Sequence, residues 1–184
     1  SKYVRPGNLL VGFVGRLAAE KQVARMAELF GVQGVDFLIV GDGPERAALE
    51  DKFRGRPVTF TGRLEGETLA NAYATLDVFV HFGTEETFGQ TIQEAQASEL
   101  PVIAPARGGP VHLIEHGVTG FLVNPDAVRP YRESLMNLLS DPKLRKRIAR
   151  QARESVMERT WARNNDKLLE HYRVAISDLK AKKA

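Results

Sequence analysis

The most chemically informative stretch of this chain runs Glu86-Thr87-Phe88-Gly89-Gln90-Thr91-Ile92-Gln93-Glu94-Ala95. A loop here enters a helix, and the amides of Gly89, Gln90 and Thr91 fall where a helix start leaves N–H groups without intrahelical acceptors. Such amides, with the positive end of the helix dipole, make an anion site of the kind that takes phosphate. Glu86 precedes that site, and Glu94 follows about five residues into the helix, roughly 7 Å along its axis. Two carboxylates flanking a phosphate can accept hydroxyl hydrogen bonds at either end of a diphosphate. That suits a sugar on one side and a ribose on the other. Surface helices also carry two glutamates at this spacing by chance, and the spacing alone leaves both readings open.

Arg16 and Lys21 add the complementary charge. They lie in Gly15-Arg16-Leu17-Ala18-Ala19-Glu20-Lys21, a strand exit feeding a helix start. A cation in a first helical turn opposes the dipole, so a solvated basic pair competes with a diphosphate clamp. The clamp is the expected reading, because arginine binds phosphate oxygens bidentately and lysine acts as a point charge.

These residues need a frame that brings them together. Short apolar runs at roughly Leu9–Val14, Asp36–Val40, Val58–Thr61, Asp77–His81, Val102–Ala104 and Phe121–Val123 predict strands. They do not alternate, as expected of parallel strands covered on both faces. Helical patterns separate them, at roughly Lys21–Phe30, Pro44–Phe53, Thr68–Thr75, Gln90–Ser98 and Val111–His116. Repeated strand–helix units predict an α/β fold with a doubly wound, Rossmann-like parallel sheet of about six strands. After Pro125 the pattern is helical only: Pro130–Leu139, Pro142–Glu158 and Trp161–Leu179, with Pro130 and Pro142 suited to first turns. The expected organisation is one domain over residues 1–184, with an α/β core at about 8–126 and a helical extension at about 127–184. Ligands of open parallel sheets bind beyond the carboxyl ends of the strands. Glycine stands at each of the first five of those ends: Gly15, Gly41 with Gly43, Gly62, Gly89 and Gly108 with Gly109. Backbone can approach a ligand closely there.

Composition closes off other chemistry. The 184 residues include no cysteine, which excludes disulfide frameworks, thiolate metal sites, iron–sulfur clusters and thiol nucleophiles. No apolar run reaches the about 18–20 residues of a membrane span, and Ser1-Lys2-Tyr3-Val4-Arg5-Pro6 is not a signal peptide. The expected location is cytoplasmic. From Lys143 onward thirteen Lys/Arg face five Asp/Glu, a local +8 within an overall +3. A solvated helix face is the expected reading of that tail, with the inner face of an anionic membrane as the alternative. Aromatic interleaving of the kind single-strand binders use is missing, so no nucleic-acid partner is expected.

Rival sites are weaker. Gly41-Asp42-Gly43-Pro44-Glu45-Arg46 begins like a dinucleotide fingerprint, but Arg46 takes the third glycine and the motif follows the second strand. His112 and His116 have helical spacing without a third metal ligand in view. His81 ends the fourth strand, where a satisfied structural histidine is expected and a place lining the pocket is the alternative. No G-x-S-x-G elbow supports serine-hydrolase chemistry.

Several motifs in fixed order resemble family 4 glycosyltransferases of the GT-B fold. They are Gly15-Arg16-Leu17 with Glu20-Lys21, Gly41-Asp42-Gly43-Pro44, Phe60-Thr61-Gly62-Arg63, and Glu86-x7-Glu94 around Phe88-Gly89. Pro101-Val102-Ile103-Ala104, Gly108-Gly109 and Gly117-Val118-Thr119-Gly120-Phe121-Leu122-Val123 continue the order. The resemblance is dense from Leu9 to Asp126 and looser beyond. Within the family, Glu-Thr-Phe-Gly-Gln-Thr followed by Gly-Gly-Pro looks most like bacterial GDP-mannose-dependent α-mannosyltransferases acting on lipid acceptors.

The resemblance implies roles. Arg16 and Lys21 would bind the donor diphosphate and stabilise it as it leaves, beside the backbone of Gly15. Glu86 would hold hexose hydroxyls, with Phe88 and Gly89 lining the sugar pocket. Gln90 and Thr91 amides would meet phosphate, Glu94 the ribose, and the backbone near Arg63 and Leu64 the base. Transfer in the family proceeds with retention and without a required metal or cofactor, and the chain has no Asp-x-Asp pair to hold a divalent ion. The resemblance also implies a second, acceptor-binding N-terminal domain that this chain lacks, so donor binding with little turnover is expected of it alone. A sugar-nucleotide epimerase half and a noncatalytic nucleotide-binding module are the alternatives. Departures from the pattern are Gln22 and Glu99, each where the family commonly has glycine, and His112, where an acidic residue is common.

Overall fold

In the computed structural model, which describes residues 3–127, 129–157 and 159–181, six strands form one parallel sheet. Ser1, Lys2, Val128, Glu158 and the Lys182–Ala184 end of the basic tail lie outside the described residues. The strands are β1 (Leu9–Val14), β2 (Val35–Val40), β3 (Val58–Gly62), β4 (Val78–Val80), β5 (Val102–Pro105) and β6 (Gly120–Val123). Their order is β3-β2-β1-β4-β5-β6, the doubly wound arrangement with its switch point between β1 and β4. Register runs from Leu9 opposite Val35 to Val14 opposite Val40, and Val11 opposite Val78 on the other side.

The uniformly apolar strands follow from burial on both faces. Val11, Phe13, Phe37, Ile39, Val78 and Val80 enter one core, while Leu10, Leu38, Val40, Phe79, Val102 and Ala104 enter the other. Alternate residues of a strand point to opposite faces, so a sheet covered on both sides has no polar face to show. The charged exception in β2 is Asp36, which is buried and accepts from the Arg5 amide at 2.7 Å and its guanidinium at 2.8 and 2.6 Å.

Helices α1 (Arg46–Lys52), α2 (Gly66–Ala74), α3 (Gln90–Ala97) and α4 (Pro110–Leu113) connect the strands, and α5 (Pro130–Ser140), α6 (Pro142–Met157) and α7 (Trp161–Ala181) follow β6. Two expected helices differ. The run from Lys21 to Phe30 is two 3-10 segments, Ala19–Lys21 and Val23–Leu29, because Gln22 between them takes a left-handed φ of 51° and breaks the helical path. The stretch from Val111 to His116 ends early at Leu113, since His116 instead pairs with Gly120 beside the sheet. Gln22 and Glu99, at φ 51° and 59°, hold the backbone conformation that glycine adopts without strain.

α5 is tied to the centre of the sheet by Tyr131. Its ring is fully buried, 4.8 Å from the Phe82 ring, and its hydroxyl donates to the His81 carbonyl at 3.0 Å. Tyr131→Phe keeps the ring and leaves that carbonyl unpaired. The expected loss is about 1–2 kcal/mol, read as a lower urea midpoint with an unchanged slope. By contrast, every α7 side chain described is exposed, including Leu168, Leu169, Tyr172, Val174 and Ile176. No helix among the described residues is long and apolar enough to cross a membrane.

Candidate functional site

The carboxyl ends of β1 and β4 diverge at the switch point, and two adjoining hollows open there. The smaller, about 220 Å³, is lined by Gly15, Arg16, Lys21, His81, Glu86, Gln90 and Thr91 together with Phe13 and Val14. The larger, about 510 Å³, shares Val14, Gly15 and Arg16 and continues past Gly41, Asp42 and Gly43 to Arg63, Leu64 and Leu69. Arg16, exposed on the rim, borders both. A cleft of this shape gives an elongated ligand a charged end and a more apolar end. A further hollow of about 930 Å³ lies at the junction of α6 and α7 and is lined by none of the site residues expected from the sequence.

Lys21 and Glu86 form the centre of the smaller hollow. Lys21 Nζ donates to Glu86 Oε2 at 2.8 Å across 65 residues of sequence, and the Glu86 side chain is 15% exposed. Burial alone pushes the Glu86 carboxyl up, but Lys21 and the Gly89 amide overcome it and hold the group below the usual carboxylate range. One expectation is corrected here. The Gly89 N–H is not free for a ligand, because it donates to Glu86 Oε1 at 3.0 Å. The first helical bond of α3 runs from the Gln93 N–H to the Gly89 carbonyl at 3.1 Å, so the Gln90 and Thr91 amides remain without intrahelical acceptors.

Three of the expected residues line neither hollow: Phe88, Gly89 and Glu94. Phe88 is half exposed, and its carbonyl accepts from Gln93 Nε2 at 3.1 Å. Gly89 sits at φ 65°, and a Cβ there would lie 2.4 Å from Leu113 Cδ1, so that side chain would have to move. Glu94 is oriented instead by Tyr73, whose hydroxyl donates to Oε2 at 2.8 Å, and by Gln90, whose amide donates to Oε1 at 3.0 Å. Burial raises the Tyr73 phenol, with Glu94 adding to the effect, so it stays a neutral donor.

The glycines at the strand exits serve backbone as much as ligand. A Cβ on Gly109 would lie 2.8 Å from both the Glu86 and Thr87 carbonyls, and the Gly109 N–H donates to the Glu86 carbonyl at 2.6 Å. Gly108 and Gly109 thus brace the Glu86 loop rather than face the cleft. Sequence reasoning missed that support, as it missed Tyr73 and the bond from Gln22 Nε2 to Thr84 Oγ1 at 3.3 Å. A glycine pair and a tyrosine have no spacing signal toward residues so distant in sequence.

The expectation of a satisfied structural histidine is overturned at His81. The residue is buried, and neither ring nitrogen meets a partner at full hydrogen-bond geometry among the described residues, the Gly83 backbone being close enough only to favour the charged ring. Burial pushes its pKa down to about 4, against the pull of Glu86. Between the usual value near 6.5 and about 4 the unfolded chain binds a proton that the folded one does not, so stability falls as pH falls through that window. The expected loss is about 3 kcal/mol, levelling off below pH 4. Urea titrations at pH 7 and pH 4 check this, since His81→Phe removes that part of the acid sensitivity.

The other histidine pair does not converge. His116 Nδ1 accepts from the Leu122 N–H at 3.1 Å, and no group of three metal-ligating side chains occurs among the described residues.

Fold and site together define a Rossmann-like domain whose switch-point cleft offers cations and helix amides to an anionic ligand. The chain belongs to the family of glycosyl transferases group 1, whose profile matches residues 2–155. It is 44% identical over 171 residues to the GDP-mannose-dependent alpha-mannosyltransferase of Mycolicibacterium smegmatis, covering 92% of this chain and 44% of that one. Among solved structures, Anabaena HepE in complex with UDP superposes with a TM-score of 0.83 at 25% identity, covering 91% of this chain and 49% of that one. The C-terminal domain of a glycosyl transferase group 1 family protein, LpcC, from Francisella tularensis superposes at 0.72 with 27% identity, covering 84% and 87%. The chain therefore spans less than half the length of the mannosyltransferase it matches. Membership in this family sets aside the dinucleotide-fingerprint and epimerase readings.

Proposed function

We propose that this chain is the donor-binding domain of a retaining, metal-independent hexosyltransferase whose donor is GDP-mannose. The observation that carries the reading is the Lys21–Glu86 ion pair in the switch-point hollow, directly before the free amides of α3. A diphosphate seated there meets Lys21, Arg16 and the Gln90 and Thr91 amides. Glu86 then faces the group beyond the diphosphate, and its ionised carboxylate accepts from hexose hydroxyls. The adjoining hollow by Arg63 and Leu64 takes the base. Glu94, held by Tyr73 and Gln90, takes the ribose hydroxyls by a shift of its side chain toward the cleft. Catalysis by this half is electrostatic: the cations and amides stabilise charge that develops on the departing diphosphate.

The mannosyl donor is favoured by 44% identity to a GDP-mannose-dependent relative. The acceptor is read as a lipid or glycan held by a second domain of similar size, which accounts for the rest of that relative's length. The exposed Leu168, Leu169, Tyr172, Val174 and Ile176 of α7 offer such a domain an apolar contact surface. A cytoplasmic setting, with the acceptor lipid at the inner membrane face, completes the reading.

Calorimetric titration with GDP, UDP, ADP and NAD tests it, with Glu94→Ala and Lys21→Ala as controls. Preference for GDP, weakened by both substitutions, is expected. Preference for UDP retains the transferase and changes the donor. Binding of NAD with no preference for a nucleoside diphosphate would overturn the proposal. Turnover after recombination with a matching N-terminal domain separates an enzyme half from a noncatalytic nucleotide-binding module.

A further inference from the structure

His81 is a buried polar side chain in the cleft to which the donor-binding roles above give no task. Its side chain is 2% exposed, and it lines the smaller hollow with Lys21 and Glu86. Neither ring nitrogen makes a full hydrogen bond among the described residues, the Gly83 backbone being its nearest weak partner, and a buried polar atom left so costs about 1–3 kcal/mol. Its backbone is fixed on both sides, since the His81 N–H donates to the Ile103 carbonyl at 2.9 Å and the Tyr131 hydroxyl bonds its own carbonyl at 3.0 Å. The imidazole is therefore held in place with unused hydrogen-bonding capacity.

The nearest charged oxygen explains why. His81 Nε2 lies 3.9 Å from Glu86 Oε2, the same oxygen that accepts from Lys21 Nζ at 2.8 Å. The other oxygen, Oε1, is held by the Gly89 amide at 3.0 Å. A donor diphosphate draws Lys21 toward itself, and Oε2 then loses its partner inside a mostly buried site. We propose that His81 is a positioning residue for Glu86: its neutral imidazole donates Nε2–H to Glu86 Oε2 when Lys21 leaves that oxygen for the diphosphate. Closing by about 1 Å brings the pair into hydrogen-bond range. The inference rests on the donor-binding reading for its occasion, though not for its geometry.

A neutral donor suits this task better than a third cation. The groups that act on the ring are Glu86 in the loop before α3, Lys21 after β1 and the Gly83 backbone, while Arg16 lines the same hollow and Tyr131 on α5 holds the His81 carbonyl. A charged imidazole would neutralise Glu86 and compete with Lys21 for phosphate. A neutral one restores the lost bond and leaves the carboxylate ionised, able to accept from a hexose hydroxyl. Only one proton is shared along an N–H···O bond, and none is transferred.

Two experiments decide the matter. Nitrogen-15 spectra of the histidine rings in the unliganded protein compare wild type with Lys21→Met, which empties Oε2 without any ligand. A new downfield, slowly exchanging Nε2–H signal from His81 in Lys21→Met is expected, and unchanged His81 signals would overturn the proposal. Calorimetry then compares GDP with GDP-mannose on His81→Phe and His81→Gln. The Phe variant is expected to weaken GDP-mannose about tenfold while GDP changes less than about twofold, and Gln, whose amide donates to the same oxygen, to restore most of the loss. Equal behaviour of the two variants, whether both harmless or both damaging, would contradict it. Should the wild type bind neither ligand, the donor reading fails, and the spectra still decide the role of His81.

Discussion

Gly41→Ala is expected to destabilise the domain by about 3 kcal/mol or more, chiefly through backbone collision. A Cβ there would stand 1.9 Å from the Gly15 carbonyl oxygen and 2.9 Å from its carbon, with φ at +137°. Neither partner is free to retreat. The Gly15 N–H donates to the Val40 carbonyl at 3.0 Å, and the Gly41 N–H donates to the Gly62 carbonyl at 2.8 Å. Relief requires the exits of β1, β2 and β3 to separate, and Gly15 and Arg16 border both hollows. Gly117→Ala is the control: φ is +77° there, but nothing lies within 4 Å of the added carbon. It carries the conformational penalty alone, about 1 kcal/mol. Urea midpoints separate the two, and equal losses would show that strand-exit crowding does not govern this edge. Nucleotide affinity of any folded Gly41→Ala protein is expected to fall as well.

What could be read from the residues was local or periodic. β1 was legible residue for residue, and α5 and α6 began at their prolines, because an apolar run and a proline at a first turn act within a few residues. The broken helix after Lys21 was not, since Gln22 carries a left-handed φ of 51° and the glycine common at that position in the family is absent from this chain. The site divides the same way. Glu86 and the start of α3 were evident from one continuous stretch, the strand-end rule placed Arg16, Lys21 and Arg63 at the same edge, and Leu64 followed from the family resemblance alone. Contacts across the chain left no trace: the Lys21–Glu86 pair spans 65 residues, and Tyr73 reaches Glu94 across 21. The Gly89 amide seemed free because its acceptor is a side chain in the loop before the helix. His81 was misjudged for a related reason. Burial of a histidine at a strand end was foreseeable, whereas the lack of a full hydrogen bond to its ring depends on where segments distant in sequence place their polar atoms.

Lys21 and Glu86 are expected to respond oppositely to substitution when the ligand is shortened by its sugar. Lys21→Ala removes the cation proposed to meet the diphosphate, so GDP and GDP-mannose should both weaken, by about 10- to 100-fold for one charge-assisted contact. The loss should shrink as salt rises, because this cation is partly exposed at 26%. Glu86→Gln acts on the same ion pair from the other side. In the unliganded protein Lys21 is held by Glu86 Oε2 at 2.8 Å, and part of that attraction must be given up when a phosphate arrives. With a neutral amide at position 86, Lys21 meets the diphosphate without that competition. GDP is therefore expected to bind as well as in the wild type or more tightly, while GDP-mannose loses the carboxylate proposed to hold its hexose and weakens about tenfold. Calorimetry with both ligands on both variants gives four affinities whose pattern is specific. A uniform loss would instead make Glu86 a scaffold for the α3 entry, whose bond to the Gly89 amide is then the property that matters. The crossing of signs is what the proposed clamp requires, because the carboxylate assigned to the sugar is also the one that restrains the cation.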